Sequence, residues 1–316
     1  MELLKLKPAY KDYIWGGTRL KEAYGKDYDG DVLAESWELS AYPGSASVIE
    51  ASSKDKEAVG RTLDEYIESV GKRSVLGSAC DRFESFPVLI KLIDAARNLS
   101  IQVHPSDEYA REHEGQYGKT EMWYIIDAAP EAFIYYGFDK IISRDEFRER
   151  IENNTLEKVL FRQPVKKGET YFIPAGTIHA IGAGCLIAEI QQNSNVTYRV
   201  YDYGRVGADG KPRELHIEKA VDVTELKPVK DIPDMGKHLG RCPYFTTDKI
   251  EIGGKGYLDA VGEASFKHLL FLSGSGEISY YGRGYSYKKG DSFLFTAGSG
   301  EYRITGTGEV LITYEE

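Results

Sequence analysis

An internal repeat constrains this chain of 316 residues more than any other feature of its sequence. The segment KKGETYFIPAG at residues 166–176 aligns with KKGDSFLFTAG at residues 288–298, with an offset of 122 positions throughout. Strand-like runs at residues 122–126 and 268–272 precede the two copies. Short runs of β-branched and aromatic residues between Gly-containing turns are typical of β-hairpins. We therefore predict two small β-barrels in tandem.

The first copy ends in GETYFIPAGTIH, which spells Gly, five residues, Pro, one residue, Gly, two residues and His. Pro174 and Gly176 turn the chain sharply after a short apolar strand, and the turn directs His179 back into the space that the barrel encloses. This spacing resembles the second metal-binding motif of the cupin superfamily. It predicts that His179 is a metal ligand.

Further metal-ligand candidates lie upstream in SIQVHP and GKTEMWY. Gln102 and His104 are two residues apart in an alternating, strand-like run, so both side chains point to the same face. Glu121 begins another predicted strand. Two imidazoles, a carboxylate and an amide can hold one divalent ion and leave a coordination position open. The predicted metal site therefore consists of Gln102, His104, Glu121 and His179.

The second copy lacks these residue types. In the same register Thr296 stands opposite Pro174 and Glu301 stands opposite His179, and nothing nearby resembles the IQVH segment. This pattern favours a structural or interface barrel without metal. The alternative is a second ion held by His268 and Glu301.

Composition excludes several classes of partner. The net charge is −10 and no basic stripe is present, which argues against nucleic acid. No segment reaches the roughly 20 apolar residues of a membrane span, and charged residues interrupt the first segment of the chain, so neither a membrane protein nor a signal peptide is predicted. The three cysteines are widely spaced without a CxxC motif, which favours reduced, buried thiols and a cytoplasmic location.

A few helices are predicted within the β pattern, at residues 56–71, from the capping box at Ser143 through about residue 151, and at residues 215–226. Residues 227–240 contain two prolines and no periodicity, so they are the predicted connection between the barrels. A boundary near residue 230 gives a catalytic metal-binding barrel with inserted helices at residues 1–230 and a C-terminal barrel without a metal site at residues 231–316.

Motifs spread over most of the chain carry a closer resemblance. They are IWGG at residues 14–17, ESWELS at 35–40, FPVLIK at 86–91, SIQVHP at 100–105, GKTEMWY at 118–124, PAGTIHAIG at 174–182 and YRVYDY at 198–203. In this order and spacing the chain resembles the type I phosphomannose isomerases in their short bacterial form. The resemblance implies a mainly β fold of two cupin-like jelly-roll barrels. It also implies a zinc-dependent isomerase that interconverts mannose 6-phosphate and fructose 6-phosphate, with one Zn²⁺ per chain.

The resemblance assigns roles to individual residues. It implies that Gln102, His104, Glu121 and His179 are the zinc ligands and that Arg199 is the catalytic arginine. Isomerisation through a cis-enediol moves a proton between two carbons and needs a cation near the developing oxyanion. Arg199 would supply that cation. Glu189, ten residues earlier, is a candidate acid/base or sugar-orienting group, and the proton carrier stays open.

Phosphate recognition requires cations and hydroxyls at some distance from the metal. Lys119 lies two residues before Glu121, and Ser100 lies two residues before Gln102, so both are expected on the faces that carry the metal ligands. We predict that Lys119 and Ser100 bind the phosphate or the sugar hydroxyls of a small phosphosugar, with Arg205 as a weaker candidate.

Two other functions stay open at this stage. Two histidines and a glutamate also suit a ferrous cupin dioxygenase, although Gln102 and Arg199 favour the isomerase. A non-catalytic sugar-binding or regulatory cupin is the other alternative. The sequence gives no indication of oligomeric state.

Overall fold

The computed structural model describes residues 1–206, 210–230 and 232–316, and in these ranges the chain is mainly β, as predicted. The strands, numbered in chain order, are β1 Leu3–Lys7, β2 Ala9–Lys11, β3 Glu35–Leu39, β4 Val48–Ser52, β5 Val88–Asp94, β6 Ile101–Val103, β7 Glu121–Ala128, β8 Phe133–Phe138, β9 Leu160–Pro164, β10 Thr170–Ile173, β11 His179–Ile181, β12 Cys185–Gln192, β13 Tyr198–Tyr201, β14 Gly240–Cys242, β15 Phe245–Ile252, β16 Tyr257–Val261, β17 Lys267–Phe271, β18 Ser275–Tyr280, β19 Arg283–Lys288, β20 Ser292–Phe295 and β21 Gly300–Tyr314. The α-helices are α1 Arg19–Glu22, α2 Leu63–Val70, α3 Lys72–Leu76, α4 Asp107–Glu114, α5 Arg144–Glu152 and α6 Ile217–Val223. Short 3-10 helices lie at Lys56–Ala58, Ser78–Arg82 and Leu156–Val159.

Two antiparallel sheets form the first barrel. One has the strand order β10-β7-β12-β5-β3-β2, and the other has the order β13-β6-β11-β8-β9. Trp123 and Ile187 of the first sheet share one apolar core with Ile134 and Ile181 of the second. Because each sheet buries one face against the other, strand residues alternate between this core and the outside. Side chains on the inner faces therefore determine what the barrel can bind.

The second barrel is built around the long strand β21, which pairs with β15, β16, β17 and β18. Its core is rich in aromatic side chains, including Phe271, Phe293 and Tyr302. Phe271 stacks on Tyr287 with ring centroids 3.8 Å apart. The prediction of two tandem cupin-like barrels is therefore confirmed.

The repeat recognised in the sequence has the same backbone geometry in both barrels. β10 and β20 begin and end at positions 122 residues apart. Gly168 and Gly290 precede these strands with φ of 91° and 89°, and Gly176 and Gly298 follow them with φ of 86° and 74°. Residues with a Cβ rarely adopt this left-handed region. The two turns thus explain why these four positions are glycine.

The first strand of the chain belongs to the sheet of the second barrel. β1 lies between β20 and β4, with Leu3 opposite Phe295 and Leu4 opposite Ser52. The sheet that contains most of the C-terminal strands is therefore completed by residues from the first 52 positions. The division of the chain near residue 230 stays a prediction.

An apolar layer joins the two barrels. Met122 and Phe172 of the first barrel belong to the same core cluster as Phe245, Phe266 and Leu294 of the second. All five side chains are buried. Burial of apolar area stabilises by about 25 cal/mol per Å², so this shared core couples the stability of the two barrels.

The predicted helices are present, with different bounds. Residues 56–71 form a 3-10 turn followed by α2, which begins at the capping box of Thr62 and Glu65. Ser143 caps α5 by accepting a hydrogen bond from the backbone of Glu146, as predicted. α6 is shorter than the predicted span, and residues 227–230 and 232–239 form no helix or strand. Residue 231 of the predicted connection lies outside the described residues.

Two of the cysteines belong to the core. Cys80 and Cys185 are buried, and burial raises the pKa of their thiols to about 12 and about 11. They therefore act as small apolar residues, as predicted. None of the helices in the described ranges has the length and apolar character that crossing a membrane would require.

A matched pair of leucines tests the contribution of β1. Leu4 is fully buried between the barrels, whereas Leu258 is 65% exposed on β16. Leu4→Ala should lower the free energy of unfolding by about 2–5 kcal/mol, because it removes buried methyl groups and leaves a cavity. Leu258→Ala should change it by less than about 0.5 kcal/mol. Urea denaturation followed by circular dichroism measures both; equal effects would mean that β1 is not part of the stabilising core.

Candidate active site

Three predicted metal ligands meet inside the first barrel. His104 follows β6, Glu121 begins β7 and His179 begins β11. One ligand atom from each lies within 4.8 Å of the others, and all three side chains are buried. β6 and β11 are paired, with Gln102 opposite His179, and this pairing brings the two histidines together across 75 residues of sequence.

Backbone carbonyls orient both imidazoles. Nδ1 of His104 donates to the carbonyl oxygen of Val196 at 2.9 Å, and Nδ1 of His179 donates to that of Thr177 at 2.8 Å. Because a carbonyl can only accept, the proton of each neutral ring is on Nδ1 and the lone pair is on Nε2. Nε2 of His179 lies 3.4 Å from Oε1 of Glu121, and neither atom has a hydrogen-bond partner among the described residues.

The electrostatics keep these imidazoles neutral. Burial, followed by the charge of Lys119, lowers the pKa of His179 to about 4 and holds that of His104 well below its usual value. Burial and the neighbouring Glu189 carboxylate raise the pKa of Glu121 to about 7. Two neutral imidazoles and a carboxylate with unpaired atoms directed at one point fit a divalent transition-metal ion.

Gln102 lies next to this group. Its side chain lines a cavity, and its Oε1 accepts a hydrogen bond from the Ser100 hydroxyl at 3.5 Å. In the strand register Gln102 stands between His179 on β11 and Arg199 on β13. A direct bond from its amide oxygen to a metal stays a prediction.

The cavity beside the metal-ligand group has a volume of about 240 Å³ and a cationic wall. Lys119 connects the cavity to the group, because its Nζ lies 2.6 Å from Oε2 of Glu121 and 3.0 Å from Nε2 of His104. Four cations and two carboxylates line the wall: Lys91, Lys119, Arg199, Arg213, Glu35 and Glu189. The local charge is thus positive in a chain whose net charge is −10.

Glu189 is buried on β12 and is held between two lysines. Its Oε1 lies 3.2 Å from Nζ of Lys91 and 3.8 Å from Nζ of Lys119, and its Oε2 accepts a hydrogen bond from the Trp123 indole at 2.9 Å. Burial alone would raise the pKa of Glu189, but the two lysines lower it to about 2. Glu189 is therefore ionised at neutral pH.

Lys91 is a site residue that the sequence interpretation did not select. It is buried on β5, and Glu35 lies 3.6 Å from its Nζ on the side opposite Glu189. Burial alone would lower the pKa of Lys91, but Glu35 and Glu189 raise it overall. The sequence did contain an indication of this role. Lys91 interrupts the apolar run FPVLIKLI, and a lysine that is buried in such a strand requires carboxylate partners.

Arg199 lines the far side of the cavity from β13. Its Nε donates to the Ser100 hydroxyl at 3.3 Å, and its Nη1 donates to the carbonyl oxygen of Glu214 at 3.0 Å. Burial and the neighbouring Arg213 lower the pKa of the guanidinium. Ser100 therefore connects Arg199 to Gln102, and through it to the metal-ligand group.

Asp202 holds two further arginines near Arg199. Arg213, which the sequence interpretation also missed, donates to both carboxylate oxygens of Asp202 at 2.6 and 2.7 Å and lines the cavity. Arg205 also donates to Asp202 and to the carbonyl oxygen of Asn98 at 2.6 Å, but it is not part of the cavity wall. No sequence motif distinguished Arg213, because a loop brings it to the site.

In the second barrel the two alternative ligand candidates, His268 and Glu301, do not meet the same environment. His268 is buried, and its Nε2 is paired with the Ser292 hydroxyl at 2.8 Å, whereas Glu301 is exposed. Among residues 1–206, 210–230 and 232–316, the His104, Glu121 and His179 group is the one cluster of three or more such ligands. His268 is therefore a buried, hydrogen-bonded residue of the second barrel.

Comparisons with known proteins agree with this geometry. Residues 3–132 match the family described as phosphomannose isomerase type I, catalytic domain, and residues 235–315 match the mannose-6-phosphate isomerase cupin domain. The chain is 36% identical to the mannose-6-phosphate isomerase ManA of Bacillus subtilis over 99% of both chains. It is also 36% identical to the mannose-6-phosphate isomerase of Streptococcus mutans, over 99% of this chain and 98% of that one.

A solved structure extends the likeness to three dimensions. The crystal structure of mannose 6-phosphate isomerase from Bacillus subtilis superposes with a TM-score of 0.90 at 35% identity, and the match covers 99% of each chain. The likeness in sequence and structure thus spans both barrels and the cavity between the two sheets. The chain belongs to the type I mannose-6-phosphate isomerases.

Proposed function

We propose that this isomerase converts mannose 6-phosphate to fructose 6-phosphate through a cis-enediol, with one zinc ion as its resident cofactor. The observation that carries the proposal is the buried group of His104, Glu121 and His179 beside a cation-lined cavity. A phosphosugar has a phosphate at one end of its carbon chain and a carbonyl group at the other. The cations of the cavity can bind the phosphate, and the metal-ligand group lies where it can reach the carbonyl.

The zinc ion would be held by His104, Glu121 and His179, with the amide of Gln102 as a fourth ligand. The two imidazoles supply nitrogen lone pairs and the carboxylate supplies charge, which is a donor set that zinc prefers. When bound, zinc supplies Lewis-acid chemistry that polarises a carbonyl or holds sugar hydroxyls. The backbone bonds of the two histidines keep the ring proton on Nδ1, so that the lone pair of Nε2 can serve as the ligand.

Lys119 is our candidate for proton transfer to the sugar oxygens beside the reacting carbons. The sequence predicted that Lys119 binds the phosphate or the sugar hydroxyls, and its ammonium contacts Glu121 and His104 directly, which favours a role at the metal end of the cavity. There it can hold and donate a proton to a sugar oxygen as the enediol forms. Glu189 is ionised and accepts from its neighbours, so we assign it to orienting Lys119 and the sugar hydroxyls.

Two arginines are assigned to the two negatively charged groups of the reacting substrate, the enediolate oxyanion and the phosphate. Arg199 lies one strand from Gln102, and we assign it to stabilising the oxyanion of the enediolate. Arg213 is fixed by two hydrogen bonds to Asp202, and we assign it, with Ser100, to the phosphate. Arg205 and Arg213 share the single carboxylate of Asp202, whereas Arg199 donates to a hydroxyl and a carbonyl oxygen, which leaves positive charge for an anion.

Metal content tests the zinc assignment. The purified chain should carry about one zinc ion, and His179→Ala should lose both the ion and the formation of fructose 6-phosphate in a coupled assay. His268→Ala is the matched control, since it removes a buried histidine at the base of the other barrel. That variant should keep its zinc and its turnover within a few-fold. Active enzyme that is free of metal after chelation would contradict the assignment.

Steady-state kinetics of Lys119 and Arg213 variants distinguish proton transfer from phosphate binding. Lys119→Met keeps the side-chain length and should lower kcat by about 10²-fold or more, because proton transfer contributes that much to catalysis. Arg213→Ala should raise KM about tenfold with little change in kcat, because it binds ground and transition states equally. Zinc is measured in each variant. If Lys119→Met mainly raises KM and Arg213→Ala mainly lowers kcat, Lys119 would instead be assigned to binding the phosphate.

Kinetics of Arg199 variants test its assignment to the enediolate oxyanion. Arg199→Ala should lower kcat by roughly 10²-fold and alter KM less, because charge stabilisation is needed mainly in the transition state. Zinc content should stay normal, since the guanidinium contacts none of the three metal ligands. Arg199→Lys, which keeps the charge without the planar group, measures how much of the effect depends on geometry. A change confined to KM would place Arg199 with Arg213 at the phosphate.

A further inference from the structure

A second cavity, of about 460 Å³, lies at the opposite barrel and shares no wall residue with the catalytic cavity. It opens between the segment of residues 52–56, which follows β4, and the hairpin of β18 and β19. Its volume lies in the range of about 300–1,000 Å³ that small-molecule sites occupy. Its wall contains three cations, three tyrosines and two serines but no carboxylate.

The three cations of this wall are not neutralised. Lys54, Lys56 and Arg283 form no ion pair with any residue in the part of the chain that the structure describes. Arg283 donates to the carbonyl oxygen of Ser53 at 3.4 Å, a contact that leaves its charge uncompensated. Three cations without an ion-pair partner outnumber the one carboxylate, Glu2, that contacts the segment from below, so the local field attracts anions.

An exposed aromatic ring stands at the mouth of the cavity. Tyr281 begins the two-residue turn between β18 and β19 with φ of 47°, and Gly282 follows with φ of 70°. The first position of such a turn favours Asn, Asp or Gly, so a tyrosine there is held at some conformational cost. Its ring is 62% exposed, and Nζ of Lys54 lies 4.7 Å from the ring centroid. The aromatic face of Tyr281 and the ammonium group of Lys54 therefore lie side by side at the mouth of the cavity.

A buried polar group in the wall lacks a partner. The side chain of Tyr280 is 1% exposed, and its hydroxyl makes no hydrogen bond of normal geometry, although Ser299 is a polar neighbour. A buried hydroxyl without a hydrogen bond costs about 1–3 kcal/mol. The hydroxyl itself is closed off from solvent, so it lies behind the surface of the cavity and beside Ser299 and Tyr281.

The segment that carries the lysines is held in place by one carboxylate. Oε2 of Glu2 accepts hydrogen bonds from the Ser52 hydroxyl at 2.6 Å, the Ser53 hydroxyl at 3.2 Å and the backbone of Lys54 at 3.0 Å. This carboxylate therefore organises the backbone from below, while the lysine side chains extend to the cavity. A site built in advance loses less entropy when it binds.

We propose that this cavity binds a phosphate monoester carried on a ring, that is, a sugar phosphate or a nucleotide. The cations would hold the phosphate, and the exposed Tyr281 ring would pack on the sugar or the base. The site is independent of the catalytic cavity, since neither the cations nor the tyrosines contribute to it.

Hydrogen–deuterium exchange on the zinc-loaded full chain tests the proposal, with glucose 1-phosphate and AMP as separate probes. The phosphate on C1 prevents glucose 1-phosphate from being isomerised. Protection is expected at residues 52–57 and 279–286. Lys54→Ala/Arg283→Ala should abolish the protection and weaken binding at least about tenfold, with kcat and KM for mannose 6-phosphate unchanged. Lys167→Ala/Lys255→Ala, which removes two exposed lysines outside the wall, is the control and should bind as the parent does.

Tyr281→Ala provides a second test that does not depend on removing charge. It should weaken binding by about three- to tenfold, because it removes the exposed ring that would pack on the sugar or the base. Protection by either probe alone supports the site and identifies the sugar phosphate or the nucleotide as its ligand. The proposal is overturned if neither probe protects these residues at about 10 mM, or if the double variant and the control bind equally.

Discussion

A row of alternating charges, buried across the six-stranded sheet, is the constraint on which the rest of the site depends. Glu35, Lys91 and Glu189 stand on neighbouring strands, and the row ends at Lys119 and Glu121, with successive nitrogen–oxygen distances of 3.6, 3.2, 3.8 and 2.6 Å. An isolated buried charge costs several kcal/mol, so each member requires the opposite charges beside it. The row closes at a carboxylate that faces two neutral imidazoles, where the proposed metal cation would complete the alternation.

Local patterns predicted part of this arrangement. The turn before His179 and the alternation around His104 were sufficient to bring those residues to one site, because both depend on neighbours in sequence. Lys91 and Arg213 escaped prediction because their partners come from distant segments: Glu35 and Glu189 flank Lys91 only after three strands pair in register. The alternation of side chains along a strand also predicts that Lys119 shares a face with Glu121. It does not predict whether that face lies at the metal end or at the phosphate end of the cavity.

The two barrels show how one backbone unit can retain its turns and change its chemistry. The four glycines of the repeat keep left-handed conformations in both copies. Within the first barrel the space at the strand ends holds charged and imidazole groups, whereas aromatic side chains form the core of the second barrel and its buried His268 is paired with Ser292. Backbone geometry is set by the turns, and the inward-facing side chains then decide between a metal site and packing.

The pairing of β1 with β20 affects when the second barrel can fold during synthesis of the chain. The backbone of Glu2 donates to the hydroxyl of Thr296, a residue 294 positions later. During synthesis β1 therefore has no partner on that side until β20 has also been made. Leu3, which packs in the aromatic core of the second barrel, lacks its neighbours through this interval, and contacts of such long sequence separation form slowly. The second barrel can therefore close only after both ends of this pairing have left the ribosome.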